Sequence, residues 1–269
     1  MLDWFWLGLA VKLAASASIV VAASLLVERS GPFIGAMVAT LPISAGPAYV
    51  VLALEHSREF IAQSSLASLA VNAGTILYLT LYARLARRHG LIASLGSCMA
   101  LWIGCAVVVT WLQLPVAGVV LLNAAAFLIG HFGLRGLERQ AMARRPPPRW
   151  WDLPTRALAV MTIVIVVLVV GHFFGPKAAG IAALMPIVLT SLALILHPRI
   201  GGPATSVVFA HTLPGMIGFA LALLVLHLCA APLGSAAALS LGLATCLAWN
   251  GMLILWHRRA EYRQGKRAG

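Results

Sequence analysis

Hydrophobic and polar positions alternate along this chain in whole segments rather than single residues. Runs of about 20 apolar residues, the length that spans a membrane as a helix, are separated by short clusters of charged residues, glycine and proline. We draw nine such runs and predict that each is a transmembrane helix. They cover residues 5–27, 33–54, 60–86, 91–111, 115–135, 157–174, 177–197, 203–229 and 232–257.

Composition favours the same class of protein. The chain has 61% hydrophobic and 10% charged residues, against about 45–50% and 25% in soluble domains. A soluble or disordered protein is therefore excluded, and membrane lipids are the first expected partners. The four cysteines lie in or beside apolar runs without CxxC or Cys/His spacing. We therefore predict no disulfide, no metal site and no cofactor.

The net charge of +12 indicates orientation rather than a nucleic-acid partner. With nine helices, 16 of the 19 Lys and Arg residues fall on one side of the membrane. Lys12, Arg58 and Lys177 fall on the other side. The positive-inside rule makes the basic side cytoplasmic. We predict an N-terminus outside, a C-terminus inside, and a multi-pass protein of a bacterial-type cytoplasmic (inner) membrane.

An internal repeat is visible in the punctuation of the chain. Gly31-Pro32 followed by Pro42-Ile43 recurs as Gly175-Pro176 followed by Pro186-Ile187, and residues 95–111 match 233–249 at 8 of 17 positions. The helices then group as 4 + 1 + 4, an inverted-topology repeat of the kind common in transporters. The predicted parts of this single transmembrane domain are a first repeat at 1–113, a linker helix at 114–135, a basic loop at 136–156, a second repeat at 157–257 with an interfacial lead-in at 148–156, and a basic tail at 258–269.

Two families show a related plan. Two four-helix units joined by one helix resemble fused fluoride-channel proteins, whose filter motifs are not visible in this sequence. The stretch 35–58, with Leu41-Pro42 in mid-helix and Ser57-Arg58-Glu59 at its close, resembles the small four-helix inner-membrane proteins of the GlpM type. That resemblance implies a tandem fusion of two such units and an envelope-associated function, without a substrate.

A binding site in such a fold is expected at interrupted helices in matching positions of the two halves. A mid-helix proline frees a backbone carbonyl, which needs a partner inside the protein or in a wet cavity. The alternative is that these prolines only kink helices and the small residues only permit close packing. The candidate substrate-binding residues are Pro42, Ser44, Pro47, Asn72, Gly74, Pro186, Thr190, Ser191, His211, Thr212 and Pro214.

Charged and titratable groups narrow the chemistry. No Asp or Glu lies inside the nine runs, which disfavours cation transport and leaves His211 as the group expected to take up a proton. Lys12 and Arg156 are matched bases near the membrane faces that could attract an anion or lipid headgroup, or could simply snorkel to phosphate. HExxH, GxSxG and P-loop motifs are missing, so we expect no enzyme.

Three functions remain open. The first is a transporter or flippase with a midplane site for a neutral amphipathic or anionic small molecule or lipid. The second is a passive channel for an anion or small solute. The third is a non-transporting accessory protein of an envelope polysaccharide or lipid pathway. A closed midplane cavity would favour the first, a continuous pore the second, and tight packing with an exposed apolar groove the third. The oligomeric state stays open.

Overall fold

All regular secondary structure in the described residues is helical. A computed structural model describes Ser18 and residues 45–137, 140 and 151–268. Apart from Ser18, which is helical, these residues form eight helices and no strand. The helices are α1 Ala45–Glu55, α2 Arg58–Leu85, α3 Leu91–Leu112, α4 Val116–Gly133, α5 Asp152–Ala183, α6 Ile187–Ile200, α7 Gly202–Leu233 and α8 Ser235–Ala268.

Six stretches of the described chain are long and apolar enough to cross a membrane. They are Arg58–Leu85, Leu91–Leu112, Val116–Gly133, Met161–Ile200, Gly202–Leu233 and Ser235–His257. The prediction of an all-helical, multi-pass membrane protein is therefore confirmed at this level. Of the predicted runs, 5–27 lies outside the described residues except for Ser18, and 33–54 is described only from Ala45 onward.

Helix ends follow local chemistry. The Ser57 hydroxyl accepts a hydrogen bond of 3.3 Å from the Phe60 N–H and caps α2, as serine commonly does. Gln113 ends α3 in the left-handed conformation, and Pro115 precedes the first residue of α4. Proline and polar punctuation therefore sets these boundaries close to where the sequence predicts them.

The chain reverses direction at Gly175. This residue has φ 78° and ψ −170°, a conformation that only glycine adopts readily. A methyl group added to Gly171 would lie 3.2 Å from Cβ of Ala179, although eight residues of straight helix span about 12 Å. Met161–Ile200 therefore consists of two arms, which meet at the Gly175-Pro176 boundary between predicted runs 157–174 and 177–197.

The second arm is itself interrupted. Helix α5 ends at Ala183, and α6 begins at Ile187. Between them, the N–H groups of Leu184 and Met185 bond to carbonyls only three residues back, which tightens the last turn of α5. The predicted helix over 177–197 is therefore two shorter helices with a break at Leu184–Pro186.

Helix α2 is the centre of the molecule. In its most apolar window 72% of the residues are buried, against 22% in each of α3, α4 and α8. Tyr78 and Tyr82 of α2 and Phe209 of α7 are among the largest fully buried side chains. The outer helices show mainly apolar side chains on their exposed faces, as expected of surfaces in contact with lipid.

Helices α2 and α7 pack antiparallel. Near the start of α2, the Ala62 carbonyl oxygen lies 2.7 Å from Nδ1 of His227, near the end of α7. At the other end, the Ala86 carbonyl contacts Gly202, the first residue of α7. Interpolating between these two contacts places Asn72 opposite Met216. The long central helices therefore run in opposite directions along their shared length.

Candidate functional site at the break between α5 and α6

The break lies beside the middle of α2. Gly180, just before the break, contacts Ser68, and Thr190, just after it, contacts Tyr78. Leu184–Pro186 is therefore level with Asn72 to Gly74, about halfway along α2. A helix interruption at this depth exposes backbone groups that lipid cannot satisfy, so the surrounding side chains must do so.

One freed carbonyl is satisfied by a relay of two hydroxyls. The Leu184 N–H bonds to the Ile181 and Ala182 carbonyls, which leaves the Gly180 carbonyl without its usual i+4 donor. The Ser68 hydroxyl donates to that carbonyl at 2.6 Å, and the Tyr49 hydroxyl lies 2.6 Å from Ser68 Oγ. The relay joins α1, α2 and α5.

Two more hydroxyl contacts continue along α2 beyond the break. Tyr78 Oη lies 2.9 Å from Thr190 Oγ1, and the Thr190 hydroxyl donates to the Pro186 carbonyl at 2.7 Å. One turn further, Tyr82 Oη lies 2.8 Å from Nδ1 of His197. We call the set Tyr49, Ser68, Tyr78, Tyr82, Thr190 and His197 the polar stripe. It connects the middle of α2 to the end that the charge pattern predicts to be cytoplasmic.

Asn72 lies level with the break but faces α4. Its Nδ2 donates to Asn123 Oδ1 at 3.0 Å, and Asn123 Nδ2 donates to the Leu69 and Val119 carbonyls. Asn72 Oδ1 is buried and has no hydrogen-bond partner among the described residues.

The predicted residues on α7 have partners elsewhere. His211 Nε2 lies 3.2 Å from the Gln140 carbonyl, in the loop after α4. The Thr212 hydroxyl donates to the Phe209 carbonyl, and the Pro214 carbonyl accepts from the Trp249 indole at 2.9 Å. Of the histidines in the described part of the chain, His197 joins the polar stripe, and proton uptake by His211 stays a prediction.

The other predicted site residues divide into three groups. Pro186 and Thr190 border the break, whereas the Ser191 hydroxyl donates to the Val188 carbonyl of its own helix. Gly74 packs against Cys105, and Pro47 lines a groove on another face. Pro42, Ser44 and Lys12 lie outside the described residues, as does the side chain of Arg156 near the start of α5.

Sequence reasoning missed four members of the polar stripe. These are Tyr49, Ser68, Tyr78 and Tyr82, and His197 was not among the predicted site residues either. A signal was present, because Ser64, Ser68, Tyr78 and Tyr82 share one face of a 3.6-residue helix. Ser64 Oγ is buried and also lacks a hydrogen-bond partner among the described residues.

The stripe offers hydrogen-bonding groups but little charge. Its members are hydroxyls and one imidazole, which can orient a polar group or re-form contacts when helices shift. No group of three His, Cys, Asp or Glu side chains in the described part of the chain could hold a metal ion.

Comparison with known proteins adds no relative, since no family model, curated protein or solved structure matches the chain. The resemblance to GlpM-type proteins stays a prediction.

Proposed function

We propose that this protein is a transporter or flippase of the cytoplasmic membrane, with nine helices in a 4 + 1 + 4 inverted repeat. It carries a neutral amphipathic or anionic small molecule or lipid past the break between α5 and α6. The observation that carries the proposal is the antiparallel crossing of α2 and α7 beside this break. Equivalent helices of an inverted repeat must run in opposite directions.

A constant separation of 144 residues supports the repeat. Helices α2 and α7 begin at Arg58 and Gly202, and α3 and α8 begin at Leu91 and Ser235. A methyl group added to Gly74 would lie 2.8 Å from Cβ of Cys105, and one added to Gly218 would lie 2.7 Å from Trp249. The close contact between α2 and α3 therefore recurs between α7 and α8, and each of its two residues is found 144 positions later.

Burial extends the match to the interrupted helices. In α1 the residues Ala45, Ala48, Tyr49 and Leu52 are buried, and 144 positions later Leu189, Leu192, Ala193 and Leu196 are buried in α6. Pro42 and Pro186 have the same separation. Asn72 and Met216, which lie opposite each other, are also 144 residues apart, so a pseudo-two-fold axis would pass between them.

The same separation favours a different register for one sequence match. Pairing 95–111 with 233–249 implies a shift of 138 residues, which equates buried Cys98 with exposed Ala236. A shift of 144 equates Cys98 with Gly242, which is also buried. Small apolar residues match by chance in any register, whereas helix starts and buried faces do not.

The reversal at Gly175 supports the count of nine. The two arms of Met161–Ile200 each count as one crossing of the membrane. Together with α2, α3, α4, α7 and α8, the described residues after α1 then supply seven crossings. Runs 5–27 and 33–54, the second of which ends in α1, bring the number to nine. A single straight span of 40 residues would be about 60 Å long, twice the thickness of the hydrocarbon layer.

A carrier is favoured over a channel by the way the break is held. Hydroxyl contacts, rather than ion pairs, join α6 and the end of α5 to α2, and each is worth only about 0.6 kcal/mol in a membrane. Such contacts can exchange as α6 moves. An accessory role remains the second candidate, since an apolar groove between α1, α7 and α8 opens on the surface.

The proposal is tested by joining α6 to α2. Purified protein is reconstituted in liposomes with fluorescent NBD-phosphatidylglycerol, and lipid exchange is followed by dithionite quenching. In a background without native cysteines, Tyr78→Cys/Thr190→Cys is treated with a short bis-methanethiosulfonate cross-linker. We expect exchange to stop and to return after reduction, because α6 must move relative to α2.

The matched control joins α2 to the linker helix. Thr80 of α2 and Gly130 of α4 also lie in contact, since a methyl group added to Gly130 would lie 3.2 Å from Thr80 Oγ1. Because α4 belongs to neither proposed repeat, cross-linked Thr80→Cys/Gly130→Cys should retain exchange. Full exchange by the cross-linked 78/190 variant would contradict a moving α6. If liposomes with the wild-type protein exchanged lipid no faster than protein-free liposomes, phospholipids would be excluded as substrate and the accessory role would be favoured.

A further inference from the structure

A groove of about 300 Å³ lies between α1, α7 and α8. Its walls include Pro47 from α1, Phe219, Ala222 and Leu226 from α7, and Gly242 and Leu243 from α8. Small residues hold α7 and α8 close together at this wall, since a methyl group added to Gly242 would lie 3.1 Å from the Ala222 carbonyl oxygen. The volume is at the lower end of the range for small-molecule sites.

The equivalent space in the other half is filled. Shifting Ala222, Leu226 and Gly242 back by 144 residues gives Tyr78, Tyr82 and Cys98, which are all fully buried. Gly46, another wall residue, corresponds to Thr190, whose hydroxyl contacts Tyr78. Two tyrosines therefore plug one side of the molecule, and the matching side is open.

The groove is suited to hydrocarbon rather than to a polar solute. Its two hydroxyl-bearing wall residues are Tyr49 and Ser240. Tyr49 is bonded to Ser68, and Ser240 donates to the Ala236 carbonyl of its own helix. A polar ligand would lose its hydrogen bonds to water without finding new partners in these walls.

The depth of the groove points to the outer leaflet. Its α7 residues, from Phe219 to Leu226, lie between the crossing at Met216 and the end of α7. Arg84, Arg87 and Arg88 follow or end α2 at the opposite end of the bundle, which the positive-inside rule makes cytoplasmic. At this depth, the surrounding medium is the hydrocarbon of the outer lipid layer.

We propose that this groove holds one acyl chain of an outer-leaflet phospholipid. The apolar walls, the small facing residues and the position beside the hydrocarbon layer all fit a lipid tail. Binding here requires the helix packing and orientation described above, but it does not require that lipid be transported.

The test uses phosphatidylcholine with a photoactivatable diazirine on its acyl chain, in nanodiscs containing the full chain. After illumination, we expect labelled peptides that cover 45–50 and 239–243. Ala222→Tyr, which reproduces the plug of the other half, should reduce labelling about tenfold by filling the volume. Leu221→Tyr is the matched control, because Leu221 is exposed at the same depth and labelling should be unchanged.

A second variant acts in the opposite direction. Phe219→Ala enlarges the groove and should raise labelling about threefold, so the test stands even if Ala222→Tyr fails to fold. Unchanged labelling in a folded Ala222→Tyr, or in Phe219→Ala, would overturn the proposal. Cysteine cross-links between the groove and residues 1–44 would also overturn the proposal, because the occupant of the groove would then be this part of the chain and not a lipid. If the wild-type protein is labelled in the groove but does not exchange lipid between leaflets, only the proposed transport function is contradicted.

Discussion

At the residue scale, the contacts between helices are governed by small side chains and hydroxyls. The end of α5 approaches α2 so closely that Gly180 touches the Ser64 backbone, and Ser68 donates to the Gly180 carbonyl. Close backbone approach and hydroxyl bonds are the main sources of helix association in lipid, where the hydrophobic effect is missing.

Gly180→Ala should destabilise the protein by roughly 1–3 kcal/mol, the usual cost of overpacking. The added methyl group would overlap the Ser64 carbonyl, so α5 would have to move away from α2. Unfolding in mixed detergent and SDS micelles measures the change. The control is Gly104→Ala on α3, where nothing lies within 4 Å and the better helix propensity should stabilise by up to about 1 kcal/mol. Equal effects of the two substitutions would contradict the close packing.

The contact between Tyr78 and Thr190 should show direct energetic coupling. In a double-mutant cycle with Tyr78→Phe and Thr190→Val, we expect a coupling free energy of about 0.6 kcal/mol, the average for hydrogen bonds between membrane helices. SDS unfolding of the four proteins supplies the values. Thr110→Val provides the comparison, since the Thr110 hydroxyl bonds to the Ala106 carbonyl of its own helix. Coupling of Thr110 to Tyr78 as strong as that of Thr190 would count against a direct contact.

At the element scale, the most informative feature is the pair of arms joined at Gly175. Helix α5 approaches the start of α2 with Gly171 near Phe60. After the turn, the chain passes Ser68, Tyr78 and Tyr82 in order, through Gly180, Thr190 and His197. The first arm therefore runs antiparallel to α2 and the second parallel to it. In the sequence only Gly175 and Pro176 separate the two arms.

Lys177 should therefore lie at the outer surface rather than inside the membrane. In a variant without native cysteines, Lys177→Cys should react with a membrane-impermeant maleimide added to intact cells. Arg88→Cys should react only after permeabilisation, because it lies at the other end of α2. Protection of Lys177→Cys in both conditions would indicate a single continuous span.

At the scale of the whole molecule, orientation and the opposed central helices depend on each other. If α2 runs from the outside inward, α7 must run from the inside outward, since the two are antiparallel. The loop between α7 and α8 then lies outside, and the basic C-terminal end of α8 lies in the cytoplasm. The distribution of Lys and Arg predicts the same arrangement independently.

Reporter fusions test this arrangement. Fusions after Arg88, Arg145 and Arg267 should report the cytoplasm, and fusions at Arg58 and Pro232 should report the outside. The pattern follows from antiparallel α2 and α7 together with the positive-inside rule. Alkaline phosphatase and green fluorescent protein provide complementary signals. A cytoplasmic report at Pro232 would contradict both the count of nine helices and the inverted repeat.

The sequence by itself determined the class of protein, most helix boundaries and the place of the break. These properties depend on local chemistry, namely apolar runs of membrane length, proline and glycine, and they need no knowledge of neighbours. Pro186 lies at the break, although a proline alone does not fix one, since α7 continues through Pro214. The match of 95–111 with 233–249 shows the limit, because small apolar side chains match in more than one register.

Only the tertiary structure decided which groups meet at the break. His211 and Pro214 lie in the expected helix, yet their bonds go to Gln140 and Trp249, whereas Ser68 and Tyr78 reach the break. The rotation of each helix about its axis decides such partners, and in an apolar helix no polar face reveals that rotation in advance. The groove has the same origin, because its walls come from α1, α7 and α8 and form only once these helices are packed together.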